Sequence, residues 1–462
     1  MNDQLEVTKN KHKKHKNRRR RTKRPPEGIF EAEIASLSHE GRGISQINGK
    51  TTFIDLALKD EIVSFQYEST HSKYDEALAV DIKKASPDRV APKCKVFGLC
   101  GGCALQHVSA DGQIKLKMDT LKSHFEHFGN LAPLNWLEPL INENPWNYRN
   151  KARLGVRYVH KKEKVLVGFR ERGGQFITDM EQCPVLHSSV DQLIADLKAL
   201  IFSLSLYREI PQIEVAVDDH KTALIIRHLQ KFNESDLEQL TNFAKKHAIW
   251  FYLQSKGPDT IKLFYPEVAE SESYLSYNID DFGIEIRFQP NDFTQVNPQM
   301  NQKMLNQAIS LMELKSTDCV LDLFCGLGNF SLPLAKHAKL VIGVEGDSQM
   351  TERALENAKL NGINNVEFHP ANLFETIDNA DWANQQYDKI LLDPPRAGAV
   401  EIVSQIERFN AKRIVYVSCN PATLARDAGI LVNDKGYTML SAGIMDMFPH
   451  TAHVESIAVF EK

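Results

Sequence analysis

Two short motifs in the second half of the chain place reactive side chains directly after apolar runs. Cys419 and its neighbour Ser418 follow the run at residues 414–417, and Asp393 follows the run Lys389–Leu392. Such runs are typical of buried parallel strands, and ligands bind at the carboxyl ends of those strands. The sequence therefore predicts that a thiol and a carboxylate share one crevice, which indicates an enzyme with a cysteine nucleophile.

A glycine-containing loop at residues 322–330 follows a predicted strand and opens a predicted helix. Gly326 and Gly328 let the backbone approach a ligand closely, and Glu345 ends the next predicted strand 19 positions after Gly326. A carboxylate there can accept hydrogen bonds from both ribose hydroxyls of a nucleotide cofactor. The spacing does not separate NAD from S-adenosylmethionine, although the third glycine of the dinucleotide fingerprint is missing. An ordinary glycine turn is the alternative interpretation.

A thiolate beside S-adenosylmethionine suits the methylation of pyrimidine C5. That carbon cannot attack a methyl sulfonium until a nucleophile adds at C6, and a base must then remove the C5 proton. Cys419 is the candidate nucleophile, and Glu455 is the candidate base. A helix predicted at 422–431 would stabilise the thiolate through its backbone N–H groups. The alternatives are a core cysteine and a solvent-facing glutamate.

The charge of the chain is unevenly distributed. The 462 residues carry a net charge of −4, yet residues 9–24 contain six Lys, five Arg and no acidic residue. A basic arm on an otherwise acidic chain predicts a polyanionic partner, and a solvated tail is the alternative. No apolar run resembles a signal peptide or is long enough to span a bilayer, so we expect a cytoplasmic protein without membrane contact.

Changes of pattern along the chain predict an arm and three domains. Residues 1–24 are predicted to be a disordered arm, and 25–83 contain short alternating runs typical of a small OB-like β-barrel. Residues 84–290 are predicted to form an α+β domain with an antiparallel sheet. Residues 291–462 alternate strands and helices, which indicates an α/β domain with a covered parallel sheet. Its strands are predicted at 319–323, 340–344, 366–369, 389–392 and 413–417, and its clearest helix at 349–360.

Four of the seven cysteines lie in the first half of the chain, at Cys94, Cys100, Cys103 and Cys183. An odd number of cysteines without a secretion signal argues against a disulfide framework. Four thiolates with glycines nearby suit zinc or an iron–sulfur cluster, and the distant fourth cysteine followed by proline favours the cluster. Four reduced core cysteines are the alternative.

The segments 147–153 and 170–172 interleave basic, amide and aromatic side chains. Their Arg and Lys side chains would neutralise phosphates, and Tyr148 would stack on a splayed base. A solvated strand face is the alternative. Together with the arm and the barrel, these segments predict an RNA ligand whose target base is extruded toward Cys419.

Five stretches of the sequence resemble the class I RNA uracil-C5 methyltransferases. They are residues 288–297, 322–330, 393–396, 418–421 and 448–455. The predicted barrel resembles the TRAM module of this family. The barrel and the four cysteines together resemble its RlmD (RumA) type, which methylates a uridine in 23S ribosomal RNA. The resemblance covers about residues 25–462 and implies a class I (Rossmann-like) methyltransferase domain.

The resemblance implies a role for individual positions, and the chain departs from the family pattern at none of them. Cys419 matches the nucleophile, and Glu455 matches the proton-abstracting base. The positions that match the binding site for S-adenosyl-L-methionine are Gln295, Phe324, Asn329, Glu345, Asn372 and Asp393. The four first-half cysteines match the ligands of a [4Fe-4S] cluster, for which a structural or RNA-positioning role is expected. The implied partner is 23S ribosomal RNA, and we expect a monomer.

Other functions stay open from the sequence. The chain could be an RNA-binding protein with an inactive methyltransferase domain, or a related enzyme for another RNA. The transfer-RNA relatives lack both the TRAM module and the cluster, which argues against them. A dinucleotide oxidoreductase would leave Cys419 and Glu455 without a role. Arg396 stands where amino-methyltransferases have a base-stacking tyrosine, so methylation of nitrogen is disfavoured.

Overall fold

The computed structural model describes residues 24–269, 272–375, 377 and 380–462, so the predicted basic arm, except Arg24, lies outside the described residues. The chain divides into two compact units, one with residues up to Ser38 and 42–86, the other with residues 39–41 and 87–462. The predicted boundary at residue 290 falls inside the second unit and stays a prediction. No helix in the described residues is long and apolar enough to cross a bilayer.

The first unit is a small barrel. Its strands are β1 (Phe30–Glu33), β2 (Ser36–Leu37), β3 (Gly43–Ile47), β4 (Lys50–Asp55), β5 (Ile62–Thr70) and β6 (Tyr74–Lys84). The sheet order is β1-β5-β6-β4-β3-β2, so β1 and β2 stand at its two edges. Because β1 and β2 follow each other directly in the chain, they join these edges and close the sheet into a barrel. β4 and β6 are parallel neighbours, as in an OB barrel. Ile34, Ile54 and Phe65 fill the interior, and the predicted OB-like barrel is confirmed.

The second unit begins with a region built around a six-stranded sheet. Its elements are α1 (Ala110–His124), β7 (Asn135–Trp136), β8 (Lys151–Val159), β9 (Lys164–Gly168), α2 (Ser188–Asp191), α3 (Ile194–Ser203), β10 (Gln212–Val217), β11 (Thr222–Arg227), α4 (Glu234–His247), β12 (Ile249–Gln254) and β13 (Lys262–Tyr265). The sheet order is β9-β8-β10-β11-β12-β13. Four of the five strand pairs are antiparallel, as predicted. β11 and β12 are parallel, because α4 carries the chain back across the sheet.

The rest of the second unit is an α/β domain. Its elements are β14 (Leu275–Ile279), β15 (Ile284–Phe288), α5 (Pro298–Met312), β16 (Cys319–Leu323), α6 (Ser331–Ala335), β17 (Leu340–Glu345), α7 (Ser348–Leu360), β18 (Val366–Pro370), β19 (Lys389–Leu392), α8 (Val400–Val403), β20 (Arg413–Ser418), α9 (Pro421–Gly429), β21 (Thr438–Met445) and β22 (Glu455–Glu461). β7 and β16 to β22 form one sheet, in the order β18-β17-β16-β19-β20-β22-β21-β7.

Helices cover both faces of this eight-stranded sheet. Along β20, Ile414 and Tyr416 belong to the core under α1, α8 and α9, whereas Val415 and Val417 belong to the core under α5 and α6. The predicted Rossmann-like fold and its five predicted strands are confirmed. The sequence pattern does not predict β21 and β22, because strands buried on both faces lose the alternation of polar and apolar residues.

The strand order opens a crevice beside β16. From β16 the chain moves outward to β17 and β18, and it then returns to β19 on the other side of β16. A reversal of this kind separates the loops at the carboxyl ends of the strands, and ligands bind there in open α/β sheets. The loops after β16, β17, β19 and β20 therefore meet at one edge of the sheet.

A buried ion pair attaches α1 to the segment between β21 and β22. Lys117 Nζ lies 2.7 Å from Asp446 Oδ1 and donates to the carbonyl O of Phe448 at 2.9 Å. The Lys117 side chain is 1% exposed. Burial lowers the pKa of Lys117, and the charge of Asp446 opposes that shift. α1 and the segment that leads to β22 are thus held together by a buried charge pair.

We expect Lys117→Met to lower the free energy of unfolding by about 3 kcal/mol or more, because it leaves the Asp446 carboxylate buried without a counter-charge. The measurement is a urea titration followed by circular dichroism. Lys115→Met is the matched control: it changes an exposed lysine on the same helix and should shift stability by about 0.5 kcal/mol at most. The double variant Lys117→Met/Asp446→Leu should recover part of the loss. Equal effects of the two single variants would contradict the expectation.

Candidate functional site

Strand pairing brings the predicted nucleophile and the predicted base together. β20 and β22 are antiparallel, and Ser418 is the Cα partner of Ser456. Cys419 directly follows Ser418 and Glu455 directly precedes Ser456, so both side chains stand at the same end of two neighbouring strands. Ser456 Oγ also donates to the carbonyl O of Ser418 at 3.0 Å. Cys419 is half-buried, and Glu455 is 3% exposed.

The turn after β19 lies against the turn that carries Cys419. Asp393 is half-buried at the end of β19, which is the neighbour of β20. Asn420 caps α9 by accepting from Ala422 N at 3.2 Å, and its Nδ2 donates to the carbonyl O of Arg396 at 2.9 Å. This bond ties the two turns to each other. Arg396 and Cys419 line a common cavity of about 150 Å³, hereafter the nucleophile pocket.

Cys419 in the nucleophile pocket and the nearby carboxyls of Asp393 and Glu455 lie in surroundings that disfavour charge. Burial and the carboxylates of Glu455 and Asp393 raise the pKa of Cys419 to about 11, and Arg396 opposes this shift. Burial raises the pKa of Asp393 to about 7. Burial and the nearby Asp393 raise the pKa of Glu455 well above its usual range. A backbone hydrogen bond lowers the pKa of Cys419, but burial and the two carboxylates outweigh it; stabilisation of the thiolate by the start of α9 stays a prediction.

The predicted cofactor residues Phe324 and Glu345 meet at the crevice beside β16. Phe324 has a φ of +66°, and its N–H donates to the carbonyl O of Val344 at 2.8 Å, so the chain turns sharply out of β16. The Glu345 carboxylate accepts from Gly326 N at 3.1 Å, from Gly346 N at 2.7 Å and from Asp347 N at 3.2 Å. These bonds fix the carboxylate at the strand end, where it can accept from ribose hydroxyls.

The remaining predicted cofactor residues differ in their freedom to bind. Gln295 is half-buried just before α5, and Asn372 is exposed just after β18. Asn329 Oδ1 accepts from the hydroxyl of Tyr277 at 2.9 Å and from Asn301 Nδ2 at 3.0 Å, and Asn329 Nδ2 donates to Asn301 Oδ1 at 2.9 Å. The Asn329 side chain therefore braces the glycine loop, and a contact to the cofactor would come from its backbone or its second N–H.

Two further residues border the crevice that sequence reasoning did not single out. Asp322 is fully buried at the end of β16; one of its carboxyl oxygens accepts from Ser331 Oγ, and the other has no hydrogen-bond partner in the described residues. Burial raises the pKa of Asp322 to about 8. The Phe374 ring centroid lies 5.8 Å from that of Phe324, so two aromatic rings stand beside the crevice. The sequence does contain a signal for Asp322, namely its position at the start of the glycine-containing loop.

Arg396 and His453 are the corresponding additions in the nucleophile pocket. Both line this pocket. Arg396 Nη2 lies 3.0 Å from Nδ1 and 3.3 Å from Nε2 of His453. A nitrogen that is close to both ring nitrogens stands over the face of the imidazole ring. Both residues belong to motifs that the resemblance covers, but nothing in their spacing indicates that they touch.

The four first-half cysteines line one cavity of about 230 Å³, hereafter the cysteine cavity. Cys100 and Cys183 are buried, and the other two are half-buried. Burial raises the pKa of Cys103 to about 12 and that of Cys183 to about 11. In the part of the chain that the structure describes, no group of three or more His, Cys, Asp or Glu residues is arranged to hold a metal ion. The structure thus brings four thiols to one space.

Two side chains of the predicted RNA-contacting segment at 147–153, those of Tyr148 and Lys151, are turned inward. Tyr148 is buried, and its hydroxyl donates to the carbonyl O of Pro449 at 3.0 Å, so the prediction that it stacks on a base is wrong. Lys151 Nζ donates to the carbonyl O of Asp292, and burial lowers the pKa of Lys151 to about 8. Lys151 therefore does not face phosphates. The sequence does not show that these side chains face inward, because their hydrogen-bond partners, Pro449 and Asp292, are distant in the chain.

Comparison with protein families and curated sequences identifies relatives along most of the chain. A family model described as tRNA (Uracil-5-)-methyltransferase matches residues 110–462. The 23S rRNA (uracil(1939)-C(5))-methyltransferase RlmD of Francisella tularensis subsp. novicida (strain U112) is 56% identical over 438 residues, which are 94% of this chain and 97% of that protein. The RlmD of Legionella pneumophila (strain Lens) is 52% identical over 432 residues, which are 93% of this chain and 97% of that protein.

Among solved structures, the fold is similar to that of the tRNA (uracil-54, C5)-methyltransferase of Pyrococcus abyssi in complex with S-adenosyl-L-homocysteine. The two superpose with a TM-score of 0.71 over 93% of this chain and 100% of that one, at 22% sequence identity. At this identity the likeness concerns the fold.

The charges of the nucleophile pocket predict how fast Cys419 is alkylated. We expect Glu455→Gln to lower the pKa of Cys419, because it removes a negative charge that raises it, and Arg396→Gln to raise that pKa. At pH 9 the first variant should react faster with iodoacetamide and the second slower, each by up to about tenfold, since one pKa unit is a tenfold change in thiolate. Peptide mass spectrometry measures the modification of Cys419. Glu461→Gln, at the other end of β22, is the control, and shifts of the same sign in both pocket variants would contradict the assignment.

Proposed function

The chain belongs to the tRNA (uracil-5-)-methyltransferase family, and from this premise we propose that it methylates C5 of a uridine in 23S ribosomal RNA. S-adenosylmethionine is the methyl donor, Cys419 is the nucleophile and Glu455 is the base. Gln295, Phe324, Asn329, Glu345, Asn372 and Asp393 are proposed to hold the donor.

One observation supports this function above the others, namely the register in which Ser418 pairs with Ser456. It puts a thiol and a carboxylate at the same strand ends, and Asp393 lies one strand away toward the cofactor crevice. C5 methylation needs both groups within reach of one flat ring, the thiol at C6 and the base at C5. An oxidoreductase would have no use for this pair.

The residues around the crevice fit the methyl donor. Glu345 stands where ribose hydroxyls can donate to it, and the rings of Phe324 and Phe374 can border a purine. The carboxyls of Asp322, one oxygen of which has no hydrogen-bond partner in the described residues, and of the half-buried Asp393 would ionise beside a cationic ligand, because its charge lowers their raised pKa values. When bound, S-adenosylmethionine supplies an electrophilic methyl carbon on a positively charged sulfur.

In the proposed reaction Cys419 Sγ, once deprotonated, adds to uracil C6. The new C–S bond moves an electron pair toward O4 and gives C5 carbanion character, so that C5 can take the methyl group. The ionised carboxylate of Glu455 then removes the proton from C5. The electron pair of the broken C–H bond restores the C5–C6 double bond and expels the Cys419 thiolate.

The raised pKa values mean that two groups must lose protons before the reaction can proceed. Cys419 has to lose its proton and Glu455 has to be ionised, yet burial holds protons on both. Arg396 favours the charged form of each, and a cationic ligand beside Asp393 would act in the same direction. Asp393, with its pKa near 7, is the group to which we assign the thiol proton.

The RNA substrate follows from the relatives, which share more than half of their residues with this chain over almost their whole length. The barrel is proposed to be a TRAM-type RNA-binding module, in keeping with its OB-like topology. The basic residues 9–24 would add contacts to phosphates. A ribosomal RNA substrate agrees with the expected cytoplasmic location.

We expect the purified protein to transfer labelled methyl groups from S-adenosylmethionine to unmodified 23S ribosomal RNA, at the uridine numbered 1939 in the relatives' names. Nucleoside mapping locates the label. Cys419→Ala should abolish transfer and leave RNA binding intact, while Cys319→Ala, on β16, should retain both. RNA with 5-fluorouridine at the target should form a covalent adduct with the wild type and none with Cys419→Ala.

Two outcomes would favour another function. RNA binding without any methyl transfer would indicate an RNA-binding protein with an inactive domain. Labelling of transfer RNA in place of 23S RNA would indicate a related enzyme with a different substrate.

We further propose that the cysteine cavity holds a [4Fe-4S] cluster. The support is the donor set, since four sulfur ligands are what such a cluster needs. Apolar side chains, among them Phe169, Met180 and Val185, line part of the cavity, and Gln106, Arg149, Thr451 and His453 also border it. Burial raises the pKa of Cys103 and of Cys183, and the neighbouring cysteines raise it further; a cationic iron core would favour the thiolate forms. No step of methyl transfer passes through this group.

Protein purified without oxygen should contain about four iron and four sulfide per chain, as this cluster type requires. Cys183→Ser should lose most of that iron, because it removes one of four ligands. Cys319→Ser changes a cysteine outside the cavity and should retain it. Iron and sulfide assays measure the content, and iron-free protein with full zinc content would show that the four thiolates hold zinc.

A further inference from the structure

A short segment of the chain borders both the cysteine cavity and the nucleophile pocket. Thr451 and His453 line the cysteine cavity, whereas Ala452, His453 and Val454 line the nucleophile pocket. Residues 448–454, hereafter the wall segment, include all of these residues, and His453 borders both spaces. Glu455, the proposed base, is the next residue.

The wall segment is fastened on the side of the cysteines. The carbonyl O of His450 accepts from Ala104 N at 3.0 Å and from Leu105 N at 2.9 Å, and these residues directly follow Cys103. The Tyr148 hydroxyl donates to the carbonyl O of Pro449 at 3.0 Å. Together with the α1 contacts described above, these bonds attach the wall segment to the region that carries the cysteines.

The backbone of the wall segment is strained at one of these attachment points. His450 has a φ of +65°, in the left-handed region that residues other than glycine seldom adopt. Its ring is stacked on Trp146 with a centroid distance of 3.9 Å, and its N–H donates to Gln113 Oε1 at 2.8 Å. Such a conformation persists only where the surroundings hold it. Loosening the cysteine side should therefore let the segment relax.

On its other side the wall segment contacts Arg396, which lines the nucleophile pocket, and leads into Glu455. His453 carries the guanidinium of Arg396 over its ring, and Arg396 is the cation that opposes the two carboxylates beside Cys419. Val454 leads directly into Glu455 at the start of β22. A shift of this segment would displace both the cation and the base.

We propose that the group held by the four cysteines is a positioning device for methyl transfer, which acts by fixing the wall segment and thereby Arg396 and Glu455 beside Cys419. The inference rests on the proposed cluster. The proposed donor residues lie before α5 and at or after the ends of β16 to β19, none of which belongs to the wall segment, so binding of the methyl donor should be independent of the cysteines.

The first test compares the wild-type holoprotein with Cys183→Ser. Hydrogen exchange of the peptide 446–456 should become at least about tenfold faster in the variant, as expected when several bonds that hold the segment are lost. Exchange of residues 324–330 and the dissociation constant for S-adenosylmethionine, measured by calorimetry, should not change. Covalent capture of 5-fluorouridine RNA at saturating RNA concentration should slow by a comparable factor.

The second test leaves all four cysteines in place, so that it does not depend on whether Cys183→Ser folds. Tyr148→Phe removes one bond from the cysteine side to the wall segment. It should keep its iron, raise exchange of the same peptide about tenfold and slow covalent capture, because a buried carbonyl loses its donor. Tyr252→Phe is the matched control: its hydroxyl also donates to a backbone carbonyl, that of Ser273 at 2.7 Å, but in the six-stranded sheet.

The outcomes separate this inference from the proposed cluster. A wild type without iron overturns both. Iron that is present, with exchange and capture unchanged in Cys183→Ser and Tyr148→Phe, overturns only the positioning role. Weaker RNA binding with an unchanged capture rate at saturating RNA also overturns it, because the cysteines would then serve RNA binding.

Discussion

The chemistry of this chain depends on the register between β20 and β22. Antiparallel pairing of Ser418 with Ser456 places Cys419 and Glu455 at adjacent strand ends, although they are far apart in sequence. A shift of this pairing by one residue would move every side chain of β22 to the opposite face of the sheet. Burial on both faces protects the register, since Ile457, Val459 and their neighbours belong to the two cores.

The same burial that secures the register creates the electrostatic problem of the site. A thiol and two carboxylates share a small space at the sheet edge, and low polarity together with mutual repulsion keeps protons on them. Arg396 is the counter-charge that the chain provides. Its position depends on Asn420, which binds its backbone, and on His453, over whose ring it lies. Ionisation is thus coupled to the order of the surrounding turns.

The second unit also joins regions that look like separate domains in the sequence. α1 and β7 precede the six-stranded sheet in the chain, yet they pack on the methyltransferase core and its sheet. The Lys117–Asp446 pair and the bonds to His450 then connect these regions to the segment before Glu455. The wall segment borders the spaces of both the cysteines and the nucleophile, which gives a reason for a cysteine-rich segment in a methyltransferase.

The sequence by itself determined the α/β class, the barrel, the ends of β16, β19 and β20, and the residues that follow them, because apolar runs and the turns after them are local signals. It also predicted that Cys419 and Glu455 act together, through the needs of the chemistry. Only the tertiary structure decided that β11 and β12 are parallel, that Tyr148 and Lys151 face inward, that Arg396 meets His453, and that the wall segment borders two cavities. Each of these depends on contacts between residues distant in the chain, which spacing and composition do not encode.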